Sequence, residues 1–350
     1  MPSNAYAQKA SAYLEECIKN QDYDHNNMEV VLVDGASTDN TRALMCEFAL
    51  DNKDEFRRVV VLDNPKKTLP SGWNVALREY KGDAIIKVDA HAVIPEDFVS
   101  KNVRVLETGE YICGGQRPNI IDKPTPFKET LLLAESSMFG SSIASYRNNP
   151  GKTYVKSLFH AAYRREVFEK VGFFNEELVR TEDNEIHYRM RKAGYKLCFD
   201  PDIISYQYTR SSLKAMLKQK YANGYWIGKT SKVCPKCLSI YHFVPFAFVS
   251  AIIASGSVIG ATGLAECIKK RHNHTLGKGI SALRKVTVVL TTVMWVLYAL
   301  MASGMAAVSA FKAEDKRNIT NACLPVLFLL LHLSYGIGTI AGLMDKSKRG

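Results

Sequence analysis

Two hydrophobic rhythms divide this chain. From Met28 to Gly114, short runs rich in Val, Ile and Leu alternate with longer segments in which apolar residues recur every three or four positions. Glu29–Val33, Arg58–Leu62, Ala84–Asp89 and Tyr111–Gly114 have the length and β-branched content of buried strands. Thr41–Leu50, Pro70–Tyr80 and Pro95–Glu107, between them, have the period of helices. Strands separated by helices make βαβ units, so the N-terminal part is predicted to be an α/β domain with a Rossmann-like, mostly parallel sheet. Ahead of it, Ala5–Asn20 reads as a further helix with Tyr13, Leu14, Cys17 and Ile18 on one face.

The second rhythm is continuous. Tyr241–Gly263, Val286–Phe311 and Asn321–Met344 carry no Asp, Glu, Lys or Arg, and each exceeds the roughly 20 residues a helix needs to cross a bilayer. Between the two halves, Leu213, Met216, Leu217, Tyr221 and Trp226 fall near helical spacing among Lys214, Lys218, Lys229 and Lys232. Aromatic anchors beside a basic face predict an amphipathic helix at a membrane surface. The predicted division is therefore a catalytic-type domain over residues 1–210, an interfacial helix over 211–236 and a membrane domain of about three apolar helices over 237–350.

Composition adjusts this picture in three places. The mean hydropathy of -0.12 averages a polar domain with an apolar tail and describes neither. A net charge of +11 could point to nucleic acid, but the Lys and Arg residues are dispersed and crowd beside the apolar stretches, where anionic headgroups would meet them. Nucleic acid is therefore not an expected partner. Eight scattered cysteines do not form a secreted disulfide framework, and Cys234-Pro-Lys-Cys237 lacks the second ligand pair of a zinc knuckle. Met1–Asn20 has no apolar run of the kind a cleavable signal peptide carries.

Candidate chemistry gathers where strands end, because ligands of open α/β sheets bind beyond the carboxyl ends of the strands. The first run leaves its strand at Asp34 and continues through Gly35, Ser37, Asp39 and Thr41. Ser37 and Asp39 can equally cap the next helix. Asp34 lies at the strand end without a capping duty and could accept hydrogen bonds from a base or ribose. In Lys87-Val-Asp89-Ala-His91, residues two apart on an extended chain face the same way, so Asp89 and His91 could share one cation. The third cluster, Arg180-Thr-Glu182-Asp183-Asn-Glu185, opens a segment running through His187, Arg189, Arg191 and Lys192. Acids at a helix start and bases one turn later suit the helix dipole and i,i+4 pairing, yet the density of charge exceeds what a solvated face requires.

Taken in order, these clusters resemble the family 2 glycosyltransferases, membrane-associated enzymes of the GT-A fold, in particular the subgroup of succinoglycan-type exopolysaccharide glucosyltransferases. The resemblance also takes in Asn64-Pro65, Gly72-Trp73-Asn74, Gly114-Gly115-Gln116-Arg117-Pro118, His160-Ala-Ala-Tyr163-Arg164-Arg165 and His332-Leu-Ser-Tyr335-Gly336. It implies an inverting glycosyltransferase in exopolysaccharide or cell-surface glycan synthesis. The donor would be a UDP- or GDP-hexose type nucleotide sugar and the acceptor a lipid-linked glycan. A polyprenyl-phosphate acceptor, or an inactive scaffold of a glycan-assembly complex, are the alternatives. By the same resemblance, Asp34, Ser37, Asp39, Lys66, Asp89, Arg189 and Arg191 would bind the nucleotide sugar. Asp89 and His91 would hold a divalent cation, Mn²⁺ or Mg²⁺, and Asp183, with Glu182 as runner-up, would be the base.

The expected setting is the plasma membrane, multi-pass, with the domain cytoplasmic, in contact with membrane lipids and served by a separate flippase or polymerase. His91 departs from the second aspartate usual in the family. The opening Met1-Pro2-Ser3-Asn4 reads as the last residues of the family's first strand, so that strand is expected to be truncated. If all three apolar stretches span, the basic Lys269–Lys285 loop lies outside, against the usual preference. Tyr241–Gly263, with Pro245 and three glycines, is therefore predicted to dip into the membrane and return. The sequons at Asn273 and Asn318 are expected to be accidental.

Overall fold

A computed structural model describes residues 13–90, 92–140, 151–271, 277–313 and 315–347. The first strands fall where the apolar runs predict. β1 (Glu29–Asp34) and β2 (Arg58–Asp63) pair in parallel with Asp34 opposite Asp63, and α1 (Thr41–Asp51) connects them. After α2 (Leu69–Glu79), β3 is only Ala84–Ile86, shorter than the sequence predicts. The chain leaves the ladder after Ile86 and turns, with the Ala92 N–H donating to the Asp89 carbonyl at 2.9 Å. It then forms β4 (Ala92–Val93), α3 (Phe98–Glu107), β5 (Ile112–Gln116), β6 (Asn119–Ile120) and α4 (Pro126–Ser136). Next come β7 (Thr153–Val155), β8 (Ala161–Arg164), α5 (Arg165–Val171), α6 (Glu182–Lys192), β9 (Leu197–Ile204) and β10 (Tyr206–Tyr208).

The main sheet has the order β3-β8-β5-β9-β7 and is mixed, which corrects the expectation of a mostly parallel one. β8 runs antiparallel to both β3 and β5, β7 is antiparallel to β9, and β5 and β9 are parallel. The alternation of strand and helix holds only as far as β5. Antiparallel neighbours need no crossover helix, so β7 and β8 leave no such signature in the sequence. Both faces of this sheet are covered. Ile112, Tyr163, Leu197 and Phe199 point into one core with α2, α5 and α6, while Cys113, Ala162 and Cys198 point into another with α3. Leu14 and Cys17 are buried as the predicted helical face requires, although Leu14–Lys19 forms a short π-helical segment.

Four long helices follow: α7 (Leu213–Val233), α8 (Val244–Arg271), α9 (Lys278–Phe311) and α10 (Leu324–Met344). With the short turns that lead into α8 and α10, the last three are long and apolar enough to cross a membrane. α8 runs unbroken for 28 residues, roughly 42 Å at the helical rise, so the predicted dip-and-return is not present. Pro245 sits in its first turn, where a missing N–H costs nothing, and Gly256 and Gly260 have open space around them without breaking the helix.

The apolar stripe of α7 is covered by protein. Met216 is packed with Leu131, Leu327 and Phe328, and Gly224 and Gly228 lie backbone to backbone against α10. A Cβ at Gly224 would overlap the Tyr335 carbonyl, and one at Gly338 or Gly342 would overlap the Tyr221 or Tyr225 carbonyl. Two G-x-x-x-G patterns thus interlock, which lets the helices approach more closely than any larger residue allows. Gly338→Leu is expected to lower the melting temperature by several degrees, since overpacking costs about 1–3 kcal/mol. Gly256→Leu, in open space, is the control that should melt like the parent in a thermal unfolding assay.

Candidate active site

β1 carries Asp34 into a buried position, 2% exposed, where its carboxylate accepts the Ser37 N–H at 3.1 and 3.3 Å. Asp34 therefore does hold its own turn, contrary to the expectation that it has no capping duty. Asp39 accepts the Thr41 N–H at 3.1 Å, and hydrogen bonds from Thr41 hold its carboxyl below the usual range. Both acids shape the β1–α1 turn. At the end of β2, Asp63 takes a two-pronged ion pair from Arg42 at 2.9 and 3.2 Å. Lys66 reaches across to Glu176 at 2.7 Å, and Asn74 donates to the same carboxylate at 2.9 Å. Asn74 also exchanges hydrogen bonds with the Phe174 backbone, which ties the Gly72-Trp73-Asn74 motif to the segment that leads into α6.

The second and third clusters meet at one residue that the sequence reading passed over. Lys87 follows β3 and is 5% exposed, with its Nζ 2.6 Å from Asp183 Oδ1 and 3.8 Å from Glu182 Oε1. Its ammonium also lies over the Trp73 ring at 5.1 Å. Burial alone would push the Lys87 ammonium down, but Asp183, Glu182 and Asp89 outweigh it and hold it above its ordinary value. Period-two alternation puts Lys87 on the same side of the chain as Asp89, and that was the available signal.

Glu182 and Asp183 form the first turn of α6. Burial, then the Asp183 charge, pushes Glu182 up to about 8. Burial raises Asp183 as well, while Lys87 opposes it. Burial and the Asp183 charge thus favour a proton on Glu182, while Lys87 favours the charged form of Asp183. Glu182 Oε2 is buried with no hydrogen-bond partner among the described residues, an oxygen open to a proton, a cation or an acceptor hydroxyl.

Asp89 stands in the same pocket, its Oδ2 3.8 Å from Nε2 of the buried His160, whose Nδ1 lies 2.8 Å from Ser205 Oγ. Burial keeps His160 below its usual value. His91 lies outside the described residues. Among the described residues, no three His, Cys, Asp or Glu side chains converge to hold a metal. The Asp89 carboxylate is a donor of the kind that Mn²⁺ and Mg²⁺ accept, and it is the described group that would hold such a cation.

The arginines of α6 do not face this pocket. Arg189 clamps Glu185 at 2.6 and 2.8 Å and donates to the Val171 and Phe173 carbonyls at 2.7 and 2.6 Å. Arg191 donates to the His187 carbonyl at 3.2 Å and lies over Tyr188. Both guanidiniums are engaged locally, Arg189 by Glu185 four residues earlier and Arg191 by the His187 carbonyl. The guanidinium that does act on Asp183 and His160 belongs to buried Arg117, which is stacked 4.0 Å above the Phe159 ring. His187 belongs to the core: burial takes it down to about 3, and its Nε2 lies 2.8 Å from the Tyr163 hydroxyl.

Residues 5–172 match the family profile described as Glycosyl transferase family 2. Over this segment, just under half of the chain, the protein is similar to the family 2 glycosyl transferases. Among curated relatives, the succinoglycan biosynthesis protein ExoA of Rhizobium meliloti (strain 1021) is 30% identical over 203 residues, 57% of this chain and 59% of that protein. The dolichyl N-acetyl-alpha-D-glucosaminyl phosphate 3-beta-D-2,3-diacetamido-2,3-dideoxy-beta-D-glucuronosyltransferase of Methanococcus voltae is 26% identical over 252 residues, 69% of this chain and 76% of that protein. The match to the first of these spans little more than half of its length. A solved mannosyltransferase, PcManGT from Pyrobaculum calidifontis in complex with GDP-Man and Mn²⁺, superposes with a TM-score of 0.55 over 97% of this chain and 85% of its own. At 17% identity this establishes the fold, GT-A with C-terminal apolar helices.

Proposed function

We propose that the protein transfers a sugar from a nucleotide-sugar donor to a lipid-linked glycan acceptor, with inversion at the anomeric carbon. The observation that carries this reading is the Glu182–Asp183 pair closed on Lys87 beside Asp89. A single ionised carboxylate without a second nucleophilic one supports direct displacement. Asp183 accepts the acceptor hydroxyl proton as the new glycosidic bond forms and the nucleoside diphosphate departs. Lys87 fixes the Asp183 carboxylate, and Glu182, in which burial favours the protonated form, does not compete with it for the proton. Asp34, Ser37 and Asp39 shape the turn that faces the nucleotide. A divalent cation held by Asp89 with His91 would supply charge stabilisation to the leaving diphosphate.

The relatives support the class of acceptor. One is named for succinoglycan biosynthesis and another for transfer to a dolichyl-phosphate-linked sugar, so the product here is read as an extended lipid-linked glycan. The apolar helices place the domain at a membrane, in our reading the cytosolic leaflet of the plasma membrane, with a separate flippase or polymerase completing export. PcManGT, bound to GDP-Man and Mn²⁺, supports a nucleotide sugar and a divalent cation.

The test is a panel of UDP- and GDP-hexoses presented with Mn²⁺ to the membrane-reconstituted protein, with turnover followed as nucleoside diphosphate release. Turnover with one donor, abolished by chelation, is the expected result. No donor binding and no turnover across the panel would overturn the enzymatic reading and favour a scaffold. A lipid monophosphosugar product would move the acceptor to polyprenyl phosphate itself.

A further inference from the structure

We infer that only α8 and α9 cross the membrane, while α10 lies in the membrane plane as the floor of the catalytic domain, its outward stripe against the lipid surface. From the proposed function this takes only the requirement that the pocket open to water. A crossing helix has its ends on opposite sides of a hydrocarbon core about 30 Å thick. Both ends of α10 are tied to one soluble domain.

At its start, Asn318 Nδ2 donates to the Pro126 carbonyl at 2.7 Å, and Thr130 Oγ1 meets Thr320 Oγ1 and Asn321 Oδ1 at 2.7 Å each. At its centre, His332 Nε2 lies 2.7 Å from the Phe139 carbonyl oxygen, and the glycines interlock with α7. At its end, Asp345 receives the Tyr225 hydroxyl, pairs with Lys229 at 3.4 Å, and its carbonyl accepts from Lys232 at 2.9 Å.

α7, which α10 follows in parallel, is itself embedded in that domain. Lys220 forms a buried pair with Glu135 at 3.4 Å. Asn223 accepts from Arg180 at 3.0 Å, and Thr230 hydrogen-bonds Thr181, the residue before Glu182. If α10 stood across the bilayer, these ion pairs and the acidic pocket beside them would sit at hydrocarbon depth. Burial separates the helices in the same way. In α10, 39% of the apolar span is buried inside the protein, against 6% in each of α8 and α9. What α10 leaves outward is a single stripe, with Val326, Ile337 and Met344 exposed and Leu330, Leu333 and Ile340 half-buried between them. This stripe is continuous with α8, whose Pro245 carbonyl closes on Gly336, and with α9, whose Tyr298 hydroxyl lies 3.0 Å from His332 Nδ1. An apolar stripe beside two lipid-facing helices fits the acyl–headgroup boundary of a bilayer. It also moves Lys346 to the catalytic side, as the preference for basic residues inside favours.

Exposed thiols mark the topology. Cys46 lies on the catalytic domain, Cys267 at the far end of α8, and Ser347 just beyond α10. In full-length protein with Cys46, Cys234, Cys267 and Cys323 changed to Ser, each of Cys46, Cys267 and S347C is introduced alone. Labelling with a membrane-impermeant maleimide then follows in right-side-out and inverted vesicles, with melting temperature as the check on folding. S347C should label from the same side as Cys46, and Cys267 only from the opposite side. Labelling of S347C from the side of Cys267 would show that α10 crosses and overturn the inference. Labelling of all three from one side would overturn it too, because α8 and α9 would not cross. Since the readout is sidedness and not turnover, it can fail while donor binding persists, and the reverse.

Discussion

Asp183→Asn is expected to cut glycosyl transfer by about 10²–10⁴-fold, the usual worth of a positioned general base, while leaving nucleoside diphosphate binding near that of the parent. Glu182→Gln should keep most of the activity at neutral pH, because burial favours the protonated form of the side chain it replaces. The two outcomes together separate the carboxylate beside Lys87 from its neighbour. A pH series sharpens the contrast. Glu182 is raised from the ordinary carboxyl value to about 8, so the stability it contributes is complete below the unfolded value and is lost as pH rises through about 8. The parent should lose melting temperature between about pH 5 and pH 8, and Glu182→Gln should lose less. Equal activity losses in the two variants would remove Asp183 from the role of base.

Lys87→Met is expected to have the largest effect on stability. It removes the ammonium 2.6 Å from Asp183 and leaves two acidic groups buried without their counter-charge. Breaking a buried pair from one side costs about 3–5 kcal/mol, enough to unfold a marginal domain at ambient temperature. Adding Asp183→Asn to Lys87→Met should recover part of that loss, since the charge left unpaired is then gone. Thermal or denaturant unfolding of the two single variants and the double variant measures the coupling directly. A Lys87→Met protein as stable as the parent would show that the pair is better solvated than its burial implies.

Much of the framework is legible in the residues alone. β1, β2 and the helices between them follow from apolar runs bounded by turn formers, and the acidic start of α6 is visible as a charge density that solvation does not require. The antiparallel strands β7 and β8 are not legible, because no crossover helix lies between them and they are only three and four residues long. The local engagement of Arg189 has a simple reason. Glu185, four residues before it, is the partner that local geometry supplies, and a pairing within one helix forms before any ligand arrives. Lys87 is hidden by its setting, a lone cation beside a strand whose pairing partner lies 96 residues away at Asp183. Gly224 and Gly228 look like helix-weakening positions until the carbonyls of Tyr335 and Thr339 are seen against them.

The packing of α10 onto α7 makes the catalytic unit discontinuous along the gene. Residues up to Val233 and those from Asn318 to Ser347 build one body, and the α8–α9 hairpin is an insertion between them. A soluble form should therefore not be sought by truncation after α7, which would strip the cover from Met216, Gly224 and Gly228. Excising the hairpin and bridging the gap with a flexible linker preserves that cover. Because α7 and α10 run in parallel, the linker must return along the length of α7, roughly 30 Å, or about ten extended residues. Where a protein's core closes with a segment from beyond its membrane helices, the cut that yields a crystallisable domain lies inside the chain and not at its end.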